Sequence, residues 1–463
     1  MRRFLSLSVA VTAFAIGPVP TAGAGGPAAA AVPVTDFNHD GYADLAVGAP
    51  GGDVGGKDGA GYLTILYGSS AGVRTARPQV VSRASAGVPG AVADYDGFGA
   101  TTAARDFDGD GYTDLVVAST NGPTVALWGS ATGLKGGVAL DVPEHSGPLA
   151  AGDVDGDGHD DLVLGTGLVG VEFGPISRAG VSAGRTVVPF EDAEGEEDRQ
   201  ARYDFVVGDV TGDGADDIVT NHGAEDTLYS GRLWKGGKDR SVTRVPGAIA
   251  PSSGGVIADF DRDGHGDFAT FTAGTNSGDA DTEPGTVSIR YGSPSGLSAR
   301  RAAITQSTAG VPGADEPGDG FGRSLAAGDV TGDGYPDLAV GVPGEAIGKV
   351  AGAGGAVLLR GGPKGVTGAG ATAFSQSTAG VPGASETGDH FGGRVLLADV
   401  NANDRADLVV AAPYEDAPQA DSGAVWVLRG SKNGPITGGI ASFAPAGLGA
   451  PGTDATFGVN LAR

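Results

Sequence analysis

The sequence predicts an all-β fold, a seven-bladed β-propeller of four-stranded blades. A nine-residue acidic loop that runs into a short apolar segment recurs along the chain at intervals of 47 to 70 residues, a period typical of solenoids, propellers and domain arrays. The segments between the loops are short and bounded by Gly and Pro, and no stretch of useful length has helical periodicity. The loops begin at Asp36, Asp106, Asp153, Asp209, Asp259, Asp329 and Asp399.

Each repeat supplies four strands, as the sixth copy illustrates. Residues 324–328 are small and apolar and lead into the acidic loop, which suits a crowded strand near a propeller axis. The apolar run 338–340 after the loop is too short for a helix and predicts a buried strand. Residues 355–361 form the next strand, and a weaker strand ends in the Ala-Gly-Val-Pro-Gly connection 379–383. Four-stranded units arranged in a ring form a propeller.

The two ends of the chain predict that the ring is closed. The first acidic loop lacks the Phe-Gly strand that precedes other loops, whereas residues 457–463 are a Phe-Gly strand without an acidic loop. Residues 457–463 match 321–327 by position. We therefore expect the C-terminal strand to complete the first blade beside residues 43–48, which removes the free sheet edges of an open array.

Composition excludes several classes of function. The formal net charge is −26, and no Lys/Arg cluster lies beyond the N-terminus, which argues against nucleic acid and anionic membranes as partners. The absence of cysteine excludes disulfides, thiol catalysis and cysteine-based zinc sites. The Glu/Asp-rich residues 191–198, between the third and fourth loops, are expected to form a solvated insertion.

The N-terminus predicts secretion. Arg2 and Arg3 precede an apolar segment, 4–16, of signal-peptide length, and Ala22-Gly-Ala24 is a cleavage site. We expect residues 1–24 to be a signal peptide, 25–31 a flexible leader and 32–463 the propeller; a retained membrane anchor is the alternative. The mature protein is expected to be a soluble extracellular monomer without a membrane span.

The acidic loops predict calcium sites. Positions 1, 3, 5 and 9 carry oxygen side chains and position 6 is usually Gly; Ca²⁺ takes six to eight oxygen ligands in irregular geometry, and Gly permits the sharp turn. For a single loop the alternative is an Asx/Gly turn without metal. In the seven copies the ligand positions are Asp36, Asn38, Asp40 and Asp44; Asp106, Asp108, Asp110 and Asp114; Asp153, Asp155, Asp157 and Asp161; Asp209, Thr211, Asp213 and Asp217; Asp259, Asp261, Asp263 and Asp267; Asp329, Thr331, Asp333 and Asp337; Asp399, Asn401, Asn403 and Asp407.

The seven loops differ in expected affinity. Copies 2, 3 and 5 have four carboxylates and are expected to bind most tightly. Copy 7 has two, with Asp404 in place of Gly and Arg405 next to it, and is expected to be the weakest. An EF-hand is excluded because position 12, Val47 in the first copy, is not an acidic ligand but part of a strand.

The chain resembles the FG-GAP repeat family, the β-propeller of integrin α subunits, as a secreted bacterial-type member. The resemblance rests on the acidic loops, on Phe-Gly pairs such as 321–322, and on the Gly-Ala-Pro-like ends 48–50, 341–343 and 411–413; copies 2 to 5 lack that ending. It covers residues 32–463. It implies that each loop joins the inner two strands of a blade and binds Ca²⁺ on one face, while ligands meet the other face. The leg and membrane parts of integrins have no counterpart here, so the resemblance implies a fold and metal sites rather than an integrin's function.

Two functions remain open. A binding or adhesion module for an extracellular protein or glycan is favoured over an enzyme, because the repeat explains the carboxylates as metal ligands and no G-x-S-x-G, H-E-x-x-H or phosphate loop is found. The alternative is a secreted propeller hydrolase or lyase acting on polysaccharide. Contacts on the face opposite the acidic loops are expected from loops 49–60, 272–285, 342–355 and 412–422, with candidates Tyr95, His390, Tyr414 and Glu415.

Overall fold

The structure is a computed structural model. It describes residues 35–142, 147–165, 169–188, 202–224, 227–272 and 284–462. The chain divides into residues 1–32 and a compact unit of residues 33–463. The expected signal peptide, leader and insertion 191–198 lie outside the described residues, as does most of loop 272–285.

The described strands form seven antiparallel four-stranded sheets, which we call blades 1 to 7. Blade 1 contains β1 (Leu45–Ala49), β2 (Tyr62–Leu66), β3 (Gln79–Val81) and the C-terminal β28 (Asn460–Leu461). Blade 2 contains β4 (Thr101–Arg105), β5 (Asp114–Ala118), β6 (Val125–Trp128) and β7 (Lys135–Ala139). Blade 3 contains β8 (Leu149–Gly152), β9 (Asp161–Gly165), β10 (Val169–Phe173) and β11 (Gly184–Val187).

The remaining blades repeat this order. Blade 4 contains β12 (Arg202–Gly208), β13 (Asp217–Ala224), β14 (Thr227–Lys235) and β15 (Thr243–Ile249). Blade 5 contains β16 (Ser253–Ala258), β17 (Asp267–Thr272), β18 (Thr286–Arg290) and β19 (Arg301–Ile304). Blade 6 contains β20 (Ser324–Gly328), β21 (Asp337–Val342), β22 (Gly355–Arg360) and β23 (Thr367–Phe374). Blade 7 contains β24 (Arg394–Ala398), β25 (Asp407–Ala412), β26 (Ala424–Arg429) and β27 (Ile436–Phe443). Helix within the described ranges is limited to a 3-10 turn, Lys238–Arg240, and α1 (Pro445–Leu448).

The blades form a closed ring. The inner strands β28, β4, β8, β12, β16, β20 and β24 contact one another in that order, and β24 returns to β28. They surround a channel of about 380 Å³. β28 pairs with β1 through Leu461 opposite Val47 and Asn460 opposite Gly48. The predicted seven-bladed all-β fold and its closure by the C-terminal strand are therefore confirmed.

The Phe-Gly pairs pack where neighbouring blades meet. A Cβ atom on Gly354, at the start of the third strand of blade 6, would lie 2.2 Å from the carbonyl oxygen of Phe391, and the φ angle of Gly354 is +84°. Only glycine permits both the close approach and this conformation. The same contact occurs between Gly61 and Phe98, Gly285 and Phe321, and Gly423 and Phe457. All four phenylalanines are fully buried.

The order of the strands separates two faces of the ring. Six of the acidic loops join the inner strand of a blade to its second strand, and the first loop leads into β1, the second strand of blade 1. All seven loops therefore lie at the same end of the second strands, on one face, which we call the acidic face. The connections from second to third strand, such as 343–354 and 413–423, lie on the opposite face, together with the connections between blades. Among the described residues, no helix is long and apolar enough to cross a membrane.

Candidate metal centres

Each acidic loop winds around its first aspartate. In the second copy, Asp106 Oδ1 accepts hydrogen bonds from the backbone N–H groups of Gly109 (2.9 Å) and Asp110 (3.1 Å), and Asp106 Oδ2 accepts one from Gly111 N–H (2.8 Å). The other copies repeat the bonds from positions 5 and 6. The side chain at position 1 thus curls the loop so that positions 3 and 5 lie near it.

Two positions in each loop adopt left-handed backbone conformation. Position 6 has a φ angle of +91° at Gly111, and Asp404 adopts +61° at this place in copy 7. Asp404 N–H still donates to Asp399 Oδ2 (2.8 Å), so the loop forms without the glycine. Position 4 is also left-handed, as in His39 and Arg262, with φ angles of +55° and +57°. Sequence reasoning anticipated the turn at position 6 and missed the one at position 4.

The aspartate at position 9 holds the loop to the rest of its blade. Asp114 is fully buried. Its Oδ2 accepts a hydrogen bond from Phe107 N–H (3.1 Å), and its Oδ1 accepts one from Gly129 N–H (2.7 Å) after the third strand. All seven copies make the second bond, to Gly68, Gly129, Gly174, Gly236, Gly292, Gly361 and Gly430. Sequence reasoning predicted a metal ligand here but missed this role, which the recurring glycine after each third strand could have indicated.

Burial makes these position-9 carboxylates weak acids. The pKa of Asp114 is raised to about 8, mainly by the loss of hydration and also by the nearby carboxylates of Asp108 and Asp106, while backbone N–H donors oppose the rise. The same desolvation raises the pKa of Asp161 to about 7 and that of Asp337 to about 6. A cation bound in the loop would offset both the desolvation and the repulsion.

Three loops bring three carboxylates together, with ligand oxygens within 4.8 Å of one another. They are the loops with four aspartates at the ligand positions, copies 2, 3 and 5. The groups are Asp106, Asp108 and Asp114; Asp153, Asp155 and Asp161; and Asp259, Asp261 and Asp263. These oxygens could hold a hard divalent cation.

Buried oxygens without a partner show that the loops fit such an ion. Asp261 Oδ1 in copy 5 and Thr211 Oγ1 in copy 4 are both buried, and neither makes a hydrogen bond. Leaving polar oxygens in this state is unfavourable unless a ligand satisfies them. In copy 7, by contrast, Asn401 Nδ2 donates to Asp407 Oδ2 (2.6 Å).

Arginines from the outer parts of the blades contact the position-3 carboxylates. Arg178 Nε lies 2.6 Å from Asp108 Oδ2, and its Nη2 lies 2.6 Å from Asp110 Oδ2. In copy 5, Arg300 contacts the position-3 carboxylate of Asp261 through Nη1. The side chain of Arg178 is 57% exposed, so this ion pair is weak and the side chain can move aside. The sequence did not reveal these pairs because the partners lie about 40 to 70 residues apart.

The candidates on the opposite face do not form one cluster. Tyr95 is 67% exposed, on the connection between blades 1 and 2. His390 packs edge-on against Tyr414, with 5.3 Å between the ring centroids. Glu415 Oε2 accepts a hydrogen bond from Gln376 Nε2 (2.6 Å), and burial raises the pKa of Glu415 to about 7. The structure thus brings His390 and Tyr414 together and leaves Tyr95 elsewhere on the ring.

Trp128 and Trp234 contribute to the cores of their blades, as their recurring position at the end of the third strand predicts. Both side chains are buried and belong to apolar clusters between neighbouring sheets. Trp426, in the middle of β26, is also buried.

Comparison with known families identifies the repeats. The sequence model of the FG-GAP repeat matches residues 28–66, 149–187, 321–359 and 391–428, and an FG-GAP-like repeat matches 106–164. The chain is 31% identical to phosphatidylinositol-glycan-specific phospholipase D of Rattus norvegicus over 157 residues, which are 34% of this chain and 18% of the relative. It is 33% identical to integrin alpha-IIb of Homo sapiens over 119 residues, 26% of this chain and 11% of the relative.

These similarities cover limited parts of the proteins. The chain spans less than a fifth of the length of the curated relatives it matches. Among solved structures, the BP39L lectin from Burkholderia pseudomallei superposes with a TM-score of 0.45 and 15% identity, over 85% of this chain and 98% of the lectin. The strand pairing within the chain establishes the seven-bladed fold.

Proposed function

The chain carries FG-GAP repeats in a seven-bladed propeller related to that of integrin alpha-IIb, and on this premise we propose that the protein is a secreted, calcium-stabilised binding module. Its ligand is an extracellular protein or glycan, which it binds through the face opposite the acidic loops. The observation that carries the metal part is the convergence of three carboxylates in each of copies 2, 3 and 5.

Calcium suits these loops better than magnesium. The donors are carboxylate, amide, hydroxyl and backbone oxygens on a short irregular loop, and Mg²⁺ demands near-octahedral geometry whereas Ca²⁺ accepts such a set. In the second copy the ion would be held by Asp106, Asp108 and Asp114, with Asp110 adding a further oxygen. The bound ion supplies two positive charges next to buried carboxylates, which stabilises the acidic face.

The repeats support binding rather than catalysis. The same kind of repeat occurs in a protein named as a phospholipase and in an integrin α subunit, so the repeat by itself does not specify a reaction. In the described part of the acidic face, the carboxylates at positions 1 and 9 have structural roles as hydrogen-bond acceptors. We therefore propose that the propeller presents a binding surface and that the chain is not an enzyme.

Two measurements test this proposal. The calcium part is tested by the melting temperature of metal-free protein with added CaCl₂ or MgCl₂. We expect a large increase with calcium and a smaller one with magnesium; equal melting temperatures with and without calcium would refute the metal assignment. The binding part is tested on glycan and protein arrays with and without calcium, alongside incubation with a polysaccharide panel. Release of reducing or unsaturated ends would show that the chain is an enzyme.

Secretion is tested separately. In the native producer, the mature protein should be recovered outside the cell with an N-terminus close to residue 25. Recovery of the full-length chain from the membrane fraction would indicate the retained anchor instead.

A further inference from the structure

A pocket opens on the opposite face in blade 6, beside the connection that links blades 5 and 6. Its volume is about 180 Å³. The pocket is lined by Gln306 and Pro312 from that connection, by Glu345, and by Val357 and Phe374 from blade 6. Gly313, at its edge, is exposed. The acidic loops lie at the other end of the blades, so this pocket is separate from the candidate metal centres.

The equivalent place in blade 7 contains a tryptophan. In both blades the third strand is followed by a glycine that donates its N–H to the position-9 aspartate, Gly361 in blade 6 and Gly430 in blade 7. Val357 and Trp426 both lie four residues before that glycine, so they occupy the same position in their blades. Each belongs to the same apolar cluster as the valine of the Val-Pro-Gly sequence in the preceding connection.

The indole of Trp426 makes a specific contact there. Its Nε1–H donates to the carbonyl oxygen of Pro382 at 2.9 Å, and its ring centroid lies 5.2 Å from that of Phe391. The residue is 2% exposed. Blade 7 therefore shows how a planar ring with an N–H donor fits against the Val-Pro-Gly connection.

The Val-Pro-Gly sequence occurs in three connections between blades, and in two of them the carbonyl oxygen of its proline accepts a hydrogen bond from a side chain. In the first copy, Pro89 O accepts a hydrogen bond from Arg83 Nη1 at 2.6 Å, and in the third copy Pro382 O accepts from Trp426. Within the described ranges, no side chain or backbone N–H donates to Pro312 O. The pocket in blade 6 thus presents an acceptor where the chain itself supplies a planar donor in the other two copies.

The polar side chains beside the pocket match those at the equivalent place in blade 7. Gln306 Nε2 donates to Glu345 Oε2 at 2.6 Å, as Gln376 Nε2 donates to Glu415 Oε2. The Oε1 atoms of both glutamines are buried and without a partner, so this feature is common to both blades and does not distinguish them. The distinguishing features are the replacement of Trp426 by Val357 and the carbonyl of Pro312.

Two neighbouring side chains narrow the pocket without closing it. Val342 and Ile347 stand where blade 7 has Ala412 and Ala417. The remaining volume of about 180 Å³ is still larger than the roughly 150 Å³ of an engineered apolar cavity that binds benzene. An aromatic bicyclic ring therefore suits the remaining space.

We infer that this pocket binds an indole ring, with the ring N–H donated to the carbonyl oxygen of Pro312. The ring would lie against Val357 beside the Val-Pro-Gly connection, at the place where Trp426 lies in blade 7. The inference deepens the proposed function and rests on it for the role of the opposite face as the binding face. Free indole compounds and a tryptophan side chain of a partner protein share this chemistry.

Binding to the calcium-loaded full-length protein, followed by ligand-observed NMR and calorimetry, tests the inference. We expect indole to bind at one site and benzofuran, which has an oxygen in place of the N–H, to bind at least about tenfold more weakly. N-acetyltryptophanamide binding as tightly as indole would assign the pocket to a protein side chain, and at least tenfold weaker binding would assign it to a free small molecule. Absence of indole binding, or equal binding of benzofuran, would overturn the inference.

Variants locate the site. Val357→Trp should abolish indole binding, and the triple variant Val342→Ala, Ile347→Ala, Val357→Trp reproduces the side chains of blade 7 in case the single variant is overpacked. Trp426→Val should open a second pocket and raise the stoichiometry from one to two. Val187→Trp is the control, because Val187 is 50% exposed on β11, and should leave binding unchanged.

The variants also separate this inference from the proposed function. The single variant Val357→Trp and the triple variant both fill the pocket with an indole, and we call them the filled variants. Indole binding that persists in both would overturn the inference. The gain in melting temperature with calcium should be the same in wild type and in the filled variants, so a failure of the pocket is distinguishable from a failure of the calcium assignment.

Discussion

Protons and calcium are expected to compete for the buried aspartates of the acidic face, so the stabilising effect of calcium should grow with pH. The perturbation is removal of the metal by treatment with a chelating resin, followed by melting in metal-free buffers from pH 5 to 8. Resin treatment is preferable to EGTA because EGTA loses calcium affinity at low pH.

The sign follows from the raised pKa values. Burial raises the pKa of Asp337 from 3.8 to about 6 and that of Asp114 to about 8. Between pH 4 and pH 8 the calcium-free folded state therefore binds more protons than the unfolded state, and its free energy of unfolding falls as the pH rises. The stabilising contribution of the protonated carboxyl is present at low pH and is lost as the pH passes the folded-state pKa.

The magnitude is large compared with the stability of a domain. Each unit of difference between the folded and unfolded pKa changes the free energy of unfolding by about 1.4 kcal/mol. A rise of the pKa of Asp337 to about 6 therefore lowers the free energy of unfolding of the calcium-free protein by about 3 kcal/mol above pH 6. Burial raises the pKa of the aspartate at position 9 in all seven loops. A few such losses would consume the roughly 5–15 kcal/mol that stabilises a typical protein. We therefore expect the metal-free protein to be much less stable at pH 8 than at pH 5.

Circular dichroism or calorimetric melting measures the effect. With saturating calcium, the melting temperature should change little between pH 6 and pH 8, because the bound ion keeps the carboxylates ionised. Without metal, it should fall steadily over the same range. A metal-free melting temperature that is constant from pH 5 to pH 8, or a calcium effect that does not grow with pH, would show that the buried aspartates do not titrate with raised pKa values.

Three further predictions concern single residues. Asp114→Asn replaces an acceptor oxygen by an amide N–H donor, breaks at least one of the three backbone hydrogen bonds that Asp114 accepts and should lower the free energy of unfolding of the calcium-loaded protein by about 1–3 kcal/mol in urea titration; an unchanged value would contradict the role of Asp114 in holding the loop to its blade. Arg178→Ala removes a positive charge beside Asp108 and Asp110 and should raise the calcium affinity of that loop about two- to fivefold by calorimetry; a lower affinity would show that the arginine organises the loop. Asp404→Gly relieves a left-handed non-glycine residue and should raise the stability by about 1 kcal/mol, whereas Gly111→Ala, at the same loop position with a φ angle of +91° and no atom within 4 Å of the added Cβ, should lower it by a similar amount; the same sign for both variants would contradict this backbone argument.

The fold could be predicted from the sequence because its signals are local and repeated. The acidic loop, the short apolar run and the Phe-Gly pair each identify one element, and seven repetitions identify the ring. The match between residues 457–463 and 321–327 predicted the closure that β28 makes. Long-range pairing followed from the repeat itself, since equivalent segments must occupy equivalent places.

The site was less predictable wherever it depends on contacts between repeats. Asp114 was identified as a ligand candidate, but its bond to Gly129 crosses the blade and has no signal within the loop. Arg178 reaches Asp108 from the next blade, a pairing that loop spacing does not encode. The pocket beside Val357 became visible only when the packing of Trp426 against Pro382 in blade 7 was known.

Whether the acidic face holds calcium can be seen in a crystal structure of the calcium-loaded protein with anomalous scattering. We predict at least three calcium ions, in the loops of copies 2, 3 and 5, and up to seven in all, with copy 7 the last to be occupied. Each ion should be ligated by the oxygens at positions 1, 3 and 5 or 9. Loops without ions in the presence of saturating calcium, or calcium bound only elsewhere on the ring, would contradict the account.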